Sequence, residues 1–343
     1  MIDSSSYADH EIDSVPCMNF RGPLFLVGMP RSGTKLLREI LNRNSRVRIL
    51  SIETEFLPWL VRHVHEYGDV SQLPKFQRLY TALVRFPYFT YRASAGKLID
   101  AERWYSACEQ FDSASIFEAL VRSEIGAPPG SNIVWGDKSP SYIDDMALIQ
   151  SLYPEARFIH IIRDARDYCL SIHKAWGKDM RRAAQRWIDS IESARRVGGS
   201  FGSEYMEIRY EDLLVDTEFQ VRRICQFIEV AFDPMMLTLD RASENIGDAK
   251  GLVGIMTTNT GKYRHSMRPE LLADIESMAG ETLLSCGYAL TLPPRPRKRL
   301  GVVRLVSAQL RDGFNLVLSS KNQRGTYGAI VFFWRYFRAT RRI

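Results

Sequence analysis

The sequence FLVGMPRSGTKLLREIL spans residues 25–41 and changes character in its middle. Its first residues form an apolar run that is typical of a buried strand, and its second half repeats leucine and isoleucine at helical spacing. Gly28 and Gly33 bound the turn between these two parts. A turn of this kind directs backbone N–H groups at an anion, and the helix dipole favours negative charge there. The stretch therefore predicts a phosphate-binding loop between a strand and a helix.

The loop departs from that of the nucleotide triphosphatases, which ends in Gly-Lys-Ser/Thr. Here Gly33 is followed by Thr34 and only then by Lys35. A P-loop kinase acting on a small molecule, with Lys35 on the phosphates, is one alternative. Against it stand the displaced lysine and the lack of a clear Asp-bearing strand for magnesium. A magnesium requirement would favour it.

Strand and helix patterns alternate along most of the chain. Buried strands are predicted at 23–28, 47–51, 157–162 and 205–210, and helices follow them. Residues 56–130 show helical patterns rich in aromatic residues and no strand signal, so we expect a mostly helical insertion on the acceptor side. The segment WGDKSP, residues 135–140, predicts a turn. The fold class is α/β, with a three-layer arrangement of a parallel sheet flanked by helices.

Charge divides the chain unevenly. The 343 residues carry a net charge of +6, whereas residues 295–343 alone contain 12 Lys/Arg and one acidic residue, Asp312. We expect a flexible leader at 1–20, a main domain at 21–294 and a basic, aromatic extension at 295–343. Residues 329–334 are continuously apolar between basic residues. This segment suits peripheral contact with anionic lipid, and it equally suits packing on the body or on a dimer partner.

The cysteine pattern and the amino terminus indicate a reducing compartment. Five cysteines are scattered, odd in number and without a Cys-x-x-Cys pair, which argues against a disulfide framework or a zinc site. The first residues are polar and acidic, unlike a signal peptide. No run approaches the roughly 20 apolar residues of a spanning helix. We expect a cytoplasmic protein.

A second anion site is predicted at another strand end. Arg163 closes the strand 157–162, and Ser171 lies within the helix that follows. Ligands of open α/β sheets bind beyond the carboxyl ends of the strands, where a guanidinium can grip a phosphate with two hydrogen bonds. Two anion sites at two strand ends suit a ligand with phosphates at both ends.

Four segments in this order, PRSGT, IIRDARDYCLS, IRYEDLL and GKYR, resemble the sulfotransferases that use 3'-phosphoadenosine 5'-phosphosulfate (PAPS). The resemblance covers roughly residues 22–290 and is strongest to the branch with protein-tyrosine sulfotransferases and many bacterial enzymes. It implies a P-loop-like nucleotide-binding core whose cation, Arg31, precedes the glycine. It also implies transfer of the sulfuryl group to a hydroxyl acceptor, with PAPS as co-substrate. No metal is expected, because backbone and cationic groups supply the positive charge.

The same resemblance assigns roles to individual residues. The donor-binding set comprises Arg31, Ser32, Gly33, Thr34 and Lys35 at the 5' end, Arg163 and Ser171 at the 3'-phosphate, Tyr210 near the adenosine, and Lys262 and Tyr263 in a late closing loop. The catalytic set comprises Glu53 as the base, with Arg31 and Lys138 as cations at the leaving phosphate.

The identity of the base stays open between two carboxylates. Glu53 matches the family's glutamate, but Glu55 points to the same face if this segment is extended. His173 ranks third. The tyrosine-sulfating branch has arginines where this chain has Ala175 and Glu55, and Lys174 or Lys178 could substitute for the first.

A carboxylate in place of the second arginine makes an acidic tyrosyl peptide an unexpected acceptor. We favour a carbohydrate or a lipid-linked glycan, because aromatic residues of the insertion could stack on sugar rings. These are Trp59, Tyr80, Phe86, Tyr88, Phe89, Tyr91, Trp104 and Tyr105.

A non-enzymatic nucleic-acid binder acting through the basic extension is the remaining alternative, and its sign would be strongly salt-dependent binding. It does not account for the paired anion sites, so no nucleic-acid partner is expected.

Overall fold

The computed structural model describes residues 19–242, 250–301, 303–313 and 315. Most of the predicted leader and the apolar segment 329–334 lie outside these residues. Within them, a single parallel sheet organises the chain in the order β2-β3-β1-β4-β5. Its strands are β1 (Leu24–Gly28), β2 (Val47–Ile49), β3 (Val134–Asp137), β4 (Arg157–Ile162) and β5 (Tyr205–Arg209). The predicted α/β class is confirmed, and β1 lies at the centre.

Helices cover both faces of the sheet. They are α1 (Thr34–Leu41), α2 (Leu57–His63), α3 (Leu73–Leu83), α4 (Pro87–Ser94), α5 (Ala101–Ala107), α6 (Ser113–Ile125), α7 (Met146–Leu152), α8 (Ala165–Trp176), α9 (Met180–Gly198), α10 (Tyr210–Val215), α11 (Thr217–Phe227), α12 (Tyr263–Ser266) and α13 (Pro269–Ser285). Residues 303–313 form a further helix, which we call the C-terminal helix. Helices α2 to α6 confirm the helical interpretation of residues 56–130. Helix α9 was not predicted, although its buried residues Ala184, Trp187, Ile188 and Ile191 recur at helical spacing.

The interpretation of residues 135–140 as a turn was wrong for residues 135–137, which belong to a strand. Strand β3 occupies residues 134–137 and pairs with β2 on one side and β1 on the other. Its Gly136 lies so close to β1 that an added Cβ would stand 2.3 Å from the Leu24 carbonyl oxygen. A glycine followed by an aspartate has low strand propensity. Pairing on both edges overrides that propensity here.

Alternation along β1 divides the core into two layers. Phe25 and Val27 pack into a cluster with the helices of the insertion. Leu24 and Leu26 point to the opposite face and pack with α1 and α11. This period of two is the ordinary consequence of strand geometry. The layer of insertion helices and the layer behind the phosphate loop therefore have separate cores.

Many aromatic residues of the insertion belong to its core. Trp104, Tyr88 and Phe89 are buried, and Phe56 packs against the rings of Phe89 and Trp104. A buried ring cannot stack on a sugar, so these three side chains do not serve the predicted acceptor role. Of the eight aromatic residues considered, Tyr91 is the exposed one, and Trp59, Tyr80, Phe86 and Tyr105 are partly buried.

Cysteine and hydropathy features are ordinary in the part of the chain that the structure describes. Cys108, Cys169, Cys225 and Cys286 are free thiols. None of the helices there combines the length and apolar character needed to cross a membrane.

Gly136→Ala should lower the free energy of unfolding by about 1–3 kcal/mol, the usual cost of overpacking a core. The new methyl group meets backbone of β1, which cannot move aside as a flexible side chain could. Gly199→Ala is the matched control, because Gly199 has α-helical angles and a Cβ added there would meet nothing within 4 Å. Urea unfolding of both variants checks the prediction. Equal stability of the two variants would contradict it.

Candidate active site

The loop between β1 and α1 is held in an unusual backbone conformation. Arg31 has a φ of 72° and Gly33 a φ of 98°, both in the left-handed region. A Cβ on Gly33 would lie 2.3 Å from the ring of Tyr210, so only glycine fits at this close approach. No side chain caps the amino end of α1. The loop thus brings free N–H groups of a helix start to the carboxyl edge of the sheet.

Two buried polar atoms beside the phosphate loop lack a partner among the described residues. They are Oγ of Ser32 and Nε of Arg163, on residues that are 1% and 5% exposed. Leaving such a donor unpaired costs about 1–3 kcal/mol, so it is uncommon without a functional reason. Both residues were predicted to bind donor phosphates, and their free polar atoms fit that role.

Arg163 joins three segments of the site. Its guanidinium donates to the carbonyl oxygen of Arg31 at 3.0 Å and to that of Asn259 at 3.1 Å. It also lies 4.8 Å from the ring centre of Tyr210, in cation–π geometry. Indole Nε1 of Trp187 donates to the Arg163 carbonyl at 3.0 Å, which fixes the backbone of this residue. Asn259 belongs to the loop with Gly261 and Tyr263, which we call the late loop. Arg163 therefore joins the phosphate loop, the late loop and Tyr210.

The two predicted anion sites adjoin each other. Nε of Arg31 donates to Oγ of Ser171 at 3.4 Å, across the gap between the phosphate loop and α8. Arg31, Arg163, Ser171 and Lys262 line one cavity of about 200 Å³. Four predicted donor-binding residues thus converge. Sequence reasoning did not assign donor contacts to Asn259, which also lines the cavity, and no motif marked it.

The late loop is tied to α8 by a carboxylate. Asp167 accepts hydrogen bonds from the backbone N–H of Gly261 at 2.6 Å and from that of Tyr263 at 2.9 Å. Burial raises the pKa of Asp167, and these bonds and Arg163 oppose the shift. Tyr263 itself is buried, with the Arg166 guanidinium 4.1 Å from its ring centre. Its ring therefore belongs to the packed base of the loop.

The predicted base and the second cation form an ion pair. Nζ of Lys138 lies 2.5 Å from Oε1 of Glu53. The Lys138 side chain is 1% exposed and that of Glu53 is 35% exposed, so the carboxylate is the accessible partner. Burial lowers the pKa of Lys138, the adjacent Glu53 opposes that shift, and the positive charges of Arg38 and Lys35 contribute to it.

Strand order separates Glu53 from the phosphate loop more than the sequence suggested. The sequence predicts that Glu53 follows the strand 47–51 and suggests a place for that strand next to the phosphate loop or close to it. In the structure this strand is β2, at the edge of the sheet, and β3 lies between β2 and β1. Lys138 comes directly after β3 and reaches Glu53 from this intermediate position.

A buried network fixes the segment that carries Glu53. Oγ1 of Thr54 lies 2.9 Å from Oδ2 of Asp137 and 2.6 Å from the hydroxyl of Tyr142. Oγ of Ser139 donates to the same Asp137 oxygen at 2.7 Å and accepts from the Thr54 N–H at 3.0 Å. Thr54 is fully buried, so these bonds hold its neighbour Glu53 against the end of β3.

Glu55 does not share the face of Glu53 as an extended segment would require. Its φ of 55° is left-handed, which turns the chain at this residue. Its carboxylate reaches solvent and lies 3.5 Å from Oγ of Ser141. Desolvation by surrounding protein atoms raises the pKa of Glu55, and the charge of Glu53 adds to this. The two carboxylates are near each other, but only Glu53 contacts Lys138.

The histidines have other surroundings. His160 is buried in β4, its pKa is lowered to about 3 by burial, and its Nδ1 lies 2.6 Å from the hydroxyl of Tyr205. It is therefore a neutral core residue. His173 lines the phosphate cavity with its Nδ1 2.9 Å from the Lys178 carbonyl oxygen.

The fold and this site define an α/β protein in which a glycine-bounded loop and a buried arginine meet at the carboxyl edge of the sheet. Residues 23–234 match the family model described as "Sulfotransferase family", so the chain belongs to the sulfotransferase family. This assignment favours sulfuryl transfer over the kinase alternative.

Curated relatives are distant and longer. The chain is 24% identical over 277 residues to protein-tyrosine sulfotransferase A of Caenorhabditis elegans, which covers 75% of this chain and 64% of that protein. It is 26% identical over 247 residues to protein-tyrosine sulfotransferase of Drosophila melanogaster, covering 69% of this chain and 44% of that protein. The chain is also 27% identical over 154 residues to nodulation protein NoeE of Sinorhizobium fredii, a match that covers 45% of this chain and 31% of that protein. The chain thus matches between about one third and two thirds of these relatives.

Solved structures agree with the fold. The sulfotransferase domain of the Synechococcus PCC 7002 olefin synthase aligns with a TM-score of 0.52 and 25% identity, covering 85% of this chain and all of that domain. The sulfotransferase domain from the curacin biosynthetic pathway aligns with a TM-score of 0.53 and 20% identity, covering 78% of this chain and 98% of that domain.

Asp137→Asn should flatten the dependence of stability on pH. Burial raises the pKa of Asp137 from 3.8 to about 7. The folded state therefore binds this proton more tightly than the unfolded chain, and the contribution of Asp137 to stability falls as pH rises from about 4 to about 7. Urea unfolding of wild type and variant across this range checks the prediction. Parallel curves for the two proteins would contradict it.

Proposed function

We propose that the chain transfers the sulfuryl group of PAPS to a hydroxyl acceptor. The observation that carries the proposal is the joint placement of two elements at one edge of the sheet. The cavity of Arg31, Arg163 and Ser171 is one, and the Lys138–Glu53 pair is the other. We propose that residues 21–294 carry this chemistry and that residues 295–343 are an extension of it.

The proposed donor site follows from the cations and the free donors. Ser32, Gly33, Thr34 and Lys35, together with Arg31, would hold the 5' end, because the start of α1 and the unpaired Ser32 hydroxyl meet there. Arg163 and Ser171 would hold the 3'-phosphate, and Tyr210 and Lys262 would flank the nucleotide. When bound, PAPS supplies the sulfuryl group that is transferred. Since the donor is doubly phosphorylated, a cavity with several cations suits it.

Glu53 is proposed as the general base. An alcohol is a poor nucleophile until its proton has an acceptor, and a positioned carboxylate typically contributes about 10²–10⁴-fold in rate. The ammonium of Lys138 lies 2.5 Å from Oε1 of Glu53 and holds that carboxylate in position. Arg31 and Lys138 supply fixed positive charge where negative charge develops during the transfer.

The proposed acceptor is a carbohydrate or a glycolipid. The exposed Glu55, which lies near the Glu53–Lys138 pair, would repel an acidic peptide on the proposed acceptor side. The names of the worm and fly relatives point to tyrosine instead, so the acceptor panel should include both classes. A cytoplasmic location is also proposed, because the four described cysteines are free thiols.

Transfer from labelled PAPS to a panel of glycans, glycolipids, phenols and tyrosyl peptides tests the reaction and the acceptor class. Sulfation of a neutral glycan supports the proposal. Transfer only to acidic tyrosyl peptides would overturn the acceptor class, and transfer of a labelled phosphate from ATP would overturn the reaction.

Arg163→Ala should weaken binding of 3',5'-bisphosphoadenosine by about 1.5–3 kcal/mol, the scale of a hydrogen bond to a charged group. Calorimetry measures the affinity directly. Arg181→Ala is a matched control, because Arg181 pairs with Asp274 between α9 and α13 and does not line the cavity. If AMP bound as tightly as the bisphosphate, the assignment of a 3'-phosphate site would fail.

Glu53→Gln should leave the affinity for 3',5'-bisphosphoadenosine nearly unchanged while turnover falls by about 10²–10⁴-fold. The amide keeps the size of the side chain and removes its basicity. Glu55→Gln is the matched control, since Glu55 does not contact Lys138. Loss of turnover in Glu55→Gln with retention in Glu53→Gln would move the role to Glu55, and retention in both would direct attention to His173.

A further inference from the structure

The C-terminal helix is anchored to the body by buried charges. Oδ2 of Asp312 accepts a hydrogen bond from Arg182 at 2.8 Å, and its Oδ1 accepts one from the backbone N–H of Asp179 at the same distance. Asp312 is 1% exposed, and Ala308, one turn earlier, is also buried. Arg311 adds an ion pair with Asp179 at 2.7 Å. The side of the helix that carries Ala308 and Asp312 is therefore fixed against the turn between α8 and α9.

The opposite side of this helix presents an apolar stripe to solvent. Val303, Val306 and Leu310 are 83%, 49% and 50% exposed and follow each other at helical spacing. Isolated exposed apolar residues are ordinary, but three in one row on one helix form a patch. Because Asp312 holds the other side in place, the stripe cannot turn inward without breaking a buried ion pair.

Basic residues lie on this helix and in the segment before it. Arg304 is exposed one turn before Ala308, and Arg295, Lys298 and Arg299 are exposed in the segment that leads to the helix. That segment is itself docked, since the N–H of Lys298 donates to the Ser277 carbonyl at 3.1 Å. The positive charges and the apolar stripe are thus held together on a folded scaffold.

Charge decides which occupant this surface fits. A second copy related by two-fold symmetry would bring the same basic surface against itself. Residues 316–343 of this chain contain six Lys/Arg and no acidic residue, so their charge also repels this basic surface. A bilayer with anionic headgroups offers complementary charge and an apolar interior. We propose that the C-terminal helix and its basic approach dock the protein on the surface of an anionic membrane.

Binding to vesicles tests this proposal, independently of donor binding and of sulfuryl transfer. The full chain should sediment with vesicles of phosphatidylcholine and phosphatidylglycerol at three to one, and much less with phosphatidylcholine alone. The variant V303S/V306S/L310S should lower the partition coefficient at least about tenfold, since it removes apolar area from the interface. The variant R295Q/K298Q/R299Q should lower it by about 10²-fold, because each basic residue near the surface adds to the attraction of anionic lipid.

A matched variant controls for general surface polarity. V215S/F219S removes two exposed apolar side chains from α10 and α11, and it should bind vesicles like wild type. Unchanged binding in V303S/V306S/L310S, or equal loss in V215S/F219S, would overturn the proposal. Failure of the full chain to bind anionic vesicles would also overturn it and would leave residues 316–343 as the occupant. Self-association that V303S/V306S/L310S abolishes, without vesicle binding, would assign the surface to a second copy.

Discussion

The arrangement of the site depends on the contacts of one group, the guanidinium of Arg163. It reaches the backbone of the phosphate loop, the backbone of the late loop and the ring of Tyr210 from one position at the end of β4. All three partners come from segments far apart in the chain, and the parallel sheet is what brings their ends to one edge. A charge buried in such a position is costly unless it is hydrogen-bonded, and here carbonyl oxygens supply part of that compensation. The Nε of Arg163 lacks a partner among the described residues.

The other half of the site depends on a buried carboxyl group. Asp137 ends β3 and binds Thr54 and Ser139, while the residue after it, Lys138, pairs with Glu53. Two adjacent residues of one strand end thus perform different tasks. Asp137 fixes the backbone next to Glu53, and Lys138 fixes its side chain. Positioning by two separate anchors limits how far the Glu53 carboxylate can move, which is what a general base requires.

Sequence patterns predicted the parts of the fold that depend on local periodicity. Four of the five described strands and the helical insertion were predicted, because apolar runs and helical spacing mark them. Strand β3 was not, since Gly136 and Asp137 are held by pairing with both neighbours rather than by propensity. In the site, the motifs led to Arg31, Arg163 and Ser171, which do converge. They did not reveal Asn259, whose carbonyl oxygen accepts from Arg163 and whose side-chain amide donates to the Tyr210 hydroxyl. They also did not reveal the hydrogen bonds from the late loop to Asp167, because the donors are backbone N–H groups that any sequence possesses.

The division of the core by β1 has an evolutionary consequence. One face of this strand supports the insertion helices, and the other supports the helix that follows the phosphate loop. Substitutions within the insertion can therefore accumulate without repacking the layer that carries the helix after the phosphate loop. A lineage built on this plan can vary one layer while the other keeps its packing.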